Sequence, residues 1–172
     1  MLTHPVLAGT RPARVEDWPL IDAFHHRSSR SALYRRWGRT RVLRRDIERL
    51  LAHCDSWISL DPHNGEVIAL TCAGPLSREP GVVDLGLQVA DTHQRRGIGT
   101  ALARHAAQHA RARGAHTLSA YTEALNTPML HLLRRLGPMR HSHDGTHLDV
   151  RVPLDRAAAS DTTRPGTEHS RH

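Results

Sequence analysis

The sequence predicts one α/β domain over residues 10–155, a mixed sheet with helices on both faces. Three observations predict it. The chain has 172 residues, enough to bury one substantial core. Hydrophobic residues make up 38% and charged residues 24%, a globular balance rather than a membrane or disordered one. The apolar period switches repeatedly between helical and strand values, in the order β-α-α-α-β-β-β-α-β-α-β-β. Aromatics are scarce (three Trp, two Tyr, one Phe), so Leu, Val, Ile and Ala must build the core.

Thr10 to Ala13 reads as a strand, followed by a helix to about His26 with Asp17 as its cap and Pro19 in its first turn. Ser28 to Trp37 is a second short helix, broken by Gly38. Thr40 is expected to cap a third, with Leu43, Ile47, Leu50 and Leu51 on one face. After Asp55 the period becomes that of a strand. Trp57 to Leu60, a turn at Asp61 to Gly65, and Val67 to Ala73 form a hairpin. In Val82 to Ala90, residues Val83, Leu85, Leu87 and Val89 share one face, while Asp84, Gly86 and Gln88 share the other. Gly86 is a natural place for a bulge.

Arg96 to Arg113 is a helix with Ile98, Leu102, Ala106 and Ala110 on a stripe, stopped by Gly114. Thr117 to Tyr121 is a strand. A helix then begins at Pro128 and ends at Gly137, with Met129, Leu132, Leu133 and Leu136 on its apolar face. Met139 to His143 and Leu148 to Leu154 form a last hairpin around Asp144-Gly145. Residues 156–172 lack periodicity and read as a disordered tail.

No stretch approaches the roughly 20 apolar residues of a transmembrane helix, and Met1 to Gly9 lacks the pattern of a secretory signal. Cys54 and Cys72 are the only cysteines and form no C-x-x-C pair. They read as small core residues in a chain of the reducing cytoplasm. The net charge is +7, and all 24 basic residues are Arg, with no Lys. A GC-rich coding bias and selection against modifiable surface amines both explain that absence. Nine of the Arg lie within residues 27–49, against two acids. They punctuate an amphipathic pattern, which reads as a solvated face, or one meeting an anionic ligand or acidic protein, rather than a nucleic-acid reader.

The informative segment is Val89-Ala90-Asp91-Thr92-His93-Gln94-Arg95-Arg96-Gly97-Ile98-Gly99-Thr100. A strand ends, a short turn follows, and two glycines open a helix whose first amides have no intrahelical partner. Such a turn favours an anion, and a pyrophosphate is its natural guest. Arg95 and Arg96 add fixed positive charge.

Gln94-Arg95-Arg96-Gly97-Ile98-Gly99 matches the Q/R-x-x-G-x-G/A signature of the GNAT acetyltransferase superfamily, and Asn126 to Gly137 resembles its later motif. Within it the chain most resembles the catalytic domain of bacterial protein-lysine acetyltransferases. Val83 to Asp91 matches the strand before their loop, and Ser31-Ala-Leu-Tyr34-Arg35-Arg36-Trp37 loosely matches their S-x-x-Y-x-R-F segment. Three departures stand out. Asp84 replaces the family's strand glutamate, Pro138 replaces an aromatic, and no regulatory or ligase-like domain accompanies the segment.

The resemblance implies a mostly antiparallel sheet splayed between its fourth and fifth strands, and an N-acetyltransferase using acetyl-CoA as co-substrate. Its acceptor would be a protein lysine or small-molecule amine, attacking directly in a ternary complex, and the assembly could be a homodimer. Cofactor contacts carried over are Leu87, Val89, Gln94, Arg95, Arg96, Gly97, Ile98, Gly99, Thr100 and Asn126, the last equally a helix cap. Val89 would offer its amide to the thioester carbonyl. Asp84 is the candidate base, since an amine must lose a proton before it attacks, and it is equally a salt-bridged strand residue. Many members carry an acidic tyrosine where this chain has Leu133, leaving solvent to protonate the thiolate. His141, His143 and His147 lack a convincing fourth ligand, so no metal is expected. A non-catalytic acyl-CoA sensor or protein-interaction module is the alternative that the shortened acid and missing tyrosine keep open.

Overall fold

The computed structural model describes residues 3–155, and the expected tail lies outside them. Seven strands form one sheet in the order β1-β2-β3-β4-β5-β7-β6. They are β1 (Thr10–Pro12), β2 (Asp55–Leu60), β3 (Val67–Pro75), β4 (Val82–Val89), β5 (Thr117–Glu123), β6 (Arg140–Asp144) and β7 (His147–Pro153). Every neighbouring pair is antiparallel except β4 and β5, which run parallel. Helices α1 (Trp18–Arg27), α2 (Arg30–Trp37) and α3 (Arg44–His53) precede β2, while α4 (Ile98–Ala112) and α5 (Thr127–Leu136) flank β5 in sequence. The expected order of elements therefore holds.

The two faces of β2 and β3 bury different partners, as strand alternation requires. Ile58 and Leu70 pack with Ile21 and Phe24 of α1, Leu33 of α2 and Ile47 of α3. On the opposite face Trp57, Ala73 and Leu85 pack with Ala103 and Ala106 of α4 and Leu133 of α5. The small residues of α4 let that helix lie close on the sheet. Ile21, Phe24, Ile47 and Leu102 are essentially fully buried, each contributing roughly 1.5–3 kcal/mol relative to exposure.

Helix starts depart most from the sequence reading. Asp17 occupies the residue before α1, but its carboxylate accepts from Arg11 at 2.7 and 2.8 Å and from the Arg14 amide. It braces β1 instead of capping the helix. Thr40 caps nothing: α3 begins at Arg44, where Asp46 reaches back to the Leu43 amide at 2.8 Å. A side chain inside the first turn satisfies the orphan donor from the other direction. Gly38 closes α2 in the left-handed region at φ 66. A short 3-10 turn, Pro5–Gly9, precedes β1 and was not anticipated.

The expected bulge at Gly86 is absent. The β3–β4 ladder runs in unbroken register from Ala69↔Val89 through Cys72↔Gly86 to Pro75↔Val83. The opening of the sheet lies on the other edge of β4.

Candidate active site

β4 and β5 are paired only at Val82↔Thr117, Val83↔Leu118 and Asp84↔Ser119. Beyond that point β4 continues to Val89 and β5 to Glu123, each without the other. Two parallel strands that separate after three pairs make a V, with Asp84 and Ser119 at its apex. The splay expected between the fourth and fifth strands is present, produced by a short parallel pairing.

The register also decides which backbone groups are free. The Ala90 amide donates to Ile68 O on β3 at 2.8 Å. Alternation along an antiparallel ladder turns the amides of Leu87 and Val89 toward the other edge, into the open V. The Val89 carbonyl is held there by Gln94 Nε2 at 3.2 Å.

Asp84, Gly86 and Gln88 share the face that carries α1 and α2, as the alternation required. Gln88 clamps that layer: it accepts from Trp37 Nε1 at 3.2 Å and donates to Ser28 Oγ at 2.9 Å, which donates to Phe24 O. Gly86 leaves room for Arg36, because a Cβ there would collide with the guanidinium. Arg36 Nη2 donates to Cys72 Sγ at 3.0 Å, and its buried Nε has no partner.

Burial pushes the Asp84 carboxyl from 3.8 up to about 6, with the Arg36 charge opposing and the Asp149 charge adding to the rise. Asp149 is driven the opposite way. Arg151 donates to it from Nε at 2.9 Å and Nη2 at 2.7 Å, holding it below the usual carboxylate range. Arg151 also clamps Glu79 at 2.7 and 3.1 Å. One carboxyl is thus locked as an anion while the other can take up a proton near neutrality.

The loop from Ala90 to Gly97 meets α4 at the mouth of the V. Arg95 (φ 61) and Gly97 (φ 76) are left-handed, Arg95 being the only non-glycine with positive φ among the described residues. The first intrahelical bond from α4 runs from the Ala101 amide to Gly97 O. The amides of Ile98, Gly99 and Thr100 therefore lack helical partners, the arrangement an anion needs. His4 Nε2 lies 2.9 Å from Arg96 O, tying the chain start to this loop. Arg95 and Arg96 are exposed. Gly97 is required by its backbone conformation. Gly99 is different: a Cβ there would sit 3.0 Å from Leu132 Cδ1, so it sets how closely α4 meets α5. Leu87 and Val89 line the same contact.

Asn126 spends its side chain locally, capping α5 through the Met129 amide at 3.4 Å and donating to Thr122 Oγ1 at 3.0 Å. Leu133, in the place of the family tyrosine, is buried. His141 and His143 meet edge-on, and His147 stacks flat on Tyr121 with centroids 4.9 Å apart. Among the described residues no three His, Cys, Asp or Glu side chains gather as a metal site. No described helix is long and apolar enough to cross a membrane.

Arg36, Cys72, Ser119, Asp149 and Arg151 surround the candidate base, and sequence reasoning assigned none of them a role there. Strand alternation would have found Cys72 only once the β3–β4 register was known.

A family model described as the acetyltransferase (GNAT) family matches residues 15–137. Curated proteins return no match. Among solved structures, the GNAT domain of S. lividans PAT is similar at TM-score 0.75 and 23% identity, over 84% of this chain and 89% of that one. A phosphinothricin acetyltransferase from Sinorhizobium meliloti in complex with acetyl-CoA is similar at TM-score 0.71 and 18% identity, over 91% and 92%. The ribosomal-protein-alanine N-acetyltransferase from Brucella melitensis is similar at TM-score 0.66 and 20% identity, over 83% and 96%. At these identities the likeness is one of fold.

Proposed function

Because the chain belongs to the acetyltransferase (GNAT) family, we propose that it transfers an acetyl group from acetyl-CoA to a primary amine in a ternary complex. The acceptor class is a protein lysine or a small-molecule amine. The observation that carries this reading is the V itself, with a proton-accepting carboxyl at its apex and unpartnered helix amides at its mouth.

In this reading the pyrophosphate of acetyl-CoA rests on the amides of Arg96 to Thr100, with Arg95 and Arg96 adding charge. The pantetheine arm lies along the open edge of β4, where Leu87 and Val89 present backbone groups. The Val89 amide donates to the thioester carbonyl and stabilises the negative charge that develops on its oxygen. Asn126 contributes through its fold role, setting the start of α5.

A lysine amine has a pKa near 10.4 in water, so most of it is protonated at neutrality. Asp84 accepts that proton, directly or through a water, and the free amine attacks the carbonyl carbon. The carbon–sulfur bond breaks, the nitrogen releases its second proton to solvent to leave the neutral amide, and the thiolate takes its proton from solvent, because Leu133 offers none. A base with pKa about 6 is largely ionised at pH 7 yet close enough to it to carry a proton efficiently. Aspartate is one methylene shorter than the family glutamate, and positioning of the two substrates supplies the remaining rate.

The test is thiol release from acetyl-CoA across a panel of amines and lysine peptides. Release that depends on an added amine supports the enzyme reading. Tight binding of acetyl-CoA with no release for any acceptor would favour an acyl-CoA sensor instead.

A further inference from the structure

We propose that Cys54 and Cys72 form a redox-active dithiol that hydrogen peroxide closes to a disulfide beside the β3–β4 centre. The pairing is invisible in the sequence, where 17 residues intervene and no C-x-x-C motif exists. The ladder creates it. Asp55 pairs with Ala73 and Ser56 with Cys72, which brings Cys54, one residue before β2, beside Gly74.

Two glycines make space for the two sulfurs. A Cβ on Gly74 would lie 2.5 Å from Cys54 Sγ, and a Cβ on Gly86 would lie 2.6 Å from Cys72 Sγ. Gly74 and Cys72 are two residues apart on one face of β3, so both thiols occupy a single chamber. An alanine pair would fill an apolar chamber as well. Here a guanidinium instead donates to one of the sulfurs, Arg36 Nη2 to Cys72 Sγ at 3.0 Å. That is the environment that favours a thiolate.

The two thiols are unequal. Cys72 is buried, and the neighbouring Cys54 thiol together with the Arg36 charge lowers its pKa against the cost of burial. Cys54 is pushed the other way, up, by the neighbouring Cys72 and by burial. Cys54 is also half-buried and lines a cleft of about 450 Å³ with Asp55, Ala73 and Val83, which makes it the sulfur of the pair that borders open space, with Cys72 buried behind it.

The chemistry balances with peroxide as the two-electron oxidant. The Cys72 thiolate attacks one peroxide oxygen, so that an S–O bond forms and the O–O bond breaks. The departing hydroxide takes the Cys54 proton and leaves as water. The Cys54 thiolate then attacks the Cys72 sulfur, the S–S bond forms, the S–O bond breaks, and protonation of that hydroxide gives a second water. Two thiols and one peroxide become one disulfide and two waters. The disulfide removes the acceptor that holds Arg36 against Gly86.

The experiment treats the reduced full-length protein with one equivalent of hydrogen peroxide, caps remaining thiols with a maleimide in denaturant, and cleaves after Arg. Both cysteines fall on the fragment 50–78. The proposal expects that fragment two hydrogens lighter, uncapped, and monomeric. Two maleimides on it, stable oxygen adducts, or a disulfide between molecules would overturn the proposal. Two variants add an independent reading. Cys54→Ser should stop at a Cys72 sulfenic acid that a dione reagent traps. Cys72→Ser should slow oxidation of Cys54 by about tenfold or more, and parent-like oxidation in that variant would remove Cys72 as the attacking sulfur.

Discussion

Asp84 and Asp149 lie on either side of Ser119, and their carboxyls are driven in opposite directions. Ser119 Oγ is 3.4 Å from Asp149 Oδ1, and Ser119 is the direct register partner of Asp84 across the parallel β4–β5 pairing. Arg151 keeps Asp149 ionised, and that fixed charge helps burial lift Asp84 to about 6. The pair is how a short parallel ladder creates a proton acceptor.

Asp84→Asn should therefore lower turnover roughly 100-fold or more while leaving acetyl-CoA affinity nearly unchanged, since a positioned base contributes on that scale. Steady-state kinetics and calorimetry on one preparation check both halves. In the parent, kcat/KM should rise with pH through about 6 and then level off, as the carboxylate forms. Activity within about twofold of the parent would make Asp84 structural.

The same substitution should stabilise the fold. Asp84 titrates at about 6 folded against 3.8 in water, so the folded chain holds more protons in that window and loses stability as pH rises through it. Removing the charge should raise unfolding stability at pH 7 by roughly 1–3 kcal/mol. Denaturant midpoints for parent and Asp84→Asn measure it, and a clear loss would contradict the burial argument.

His25 has the opposite sign. Both its ring nitrogens are buried without partners, and burial lowers it from 6.5 to about 4, helped by Arg36. The unfolded chain binds the extra proton, so stability should rise with pH between about 4 and 6.5. His25→Leu should flatten that acid limb and Asp84→Asn should steepen it. Thermal melts across pH 4 to 7 read both, and an unchanged slope in His25→Leu would assign the limb elsewhere.

Much of this fold was legible because its signals are local. Gly38, Gly114 and Gly137 end helices where expected, and the alternation of Val83 to Val89 placed Asp84 and Gln88 on one face. Helix starts were harder. Asp17 serves Arg11, and α3 is capped from Asp46 rather than Thr40, because side chains compete for an orphan amide on both sides of it. The site's electrostatics were illegible. Arg36, Cys72, Asp84 and Asp149 come from four elements, and only the register brings them together.

The two loop glycines should fail differently. Gly97→Ala places a Cβ at φ 76 and should cost roughly 1–2 kcal/mol of stability. Gly99→Glu directs a charged side chain toward Leu132, Leu87 and Val89 beside the free α4 amides and should abolish acetyl-CoA binding, with Leu132, the far end of a flexible side chain, giving way so that the helices remain folded. Calorimetry beside circular dichroism separates the two effects. Unchanged affinity in Gly99→Glu would move the cofactor away from this loop.

A chain without lysine should resist its own chemistry. All 24 basic residues are Arg, and guanidinium stays protonated and is a poor acyl acceptor. Incubation with acetyl-CoA followed by intact-mass measurement should give no stepwise ladder of acetyl groups. Several stable adducts would require another nucleophile.

The most direct measurement is a crystal structure of the chain with acetyl-CoA. The proposed mechanism predicts the pyrophosphate on the amides of Arg96 to Thr100 and the thioester carbonyl accepting from the Val89 amide. The acetyl group should then lie deep in the V, within one water of Asp84. A cofactor bound outside the V, or an acetyl group facing away from Asp84 with no path for a proton between them, would contradict it.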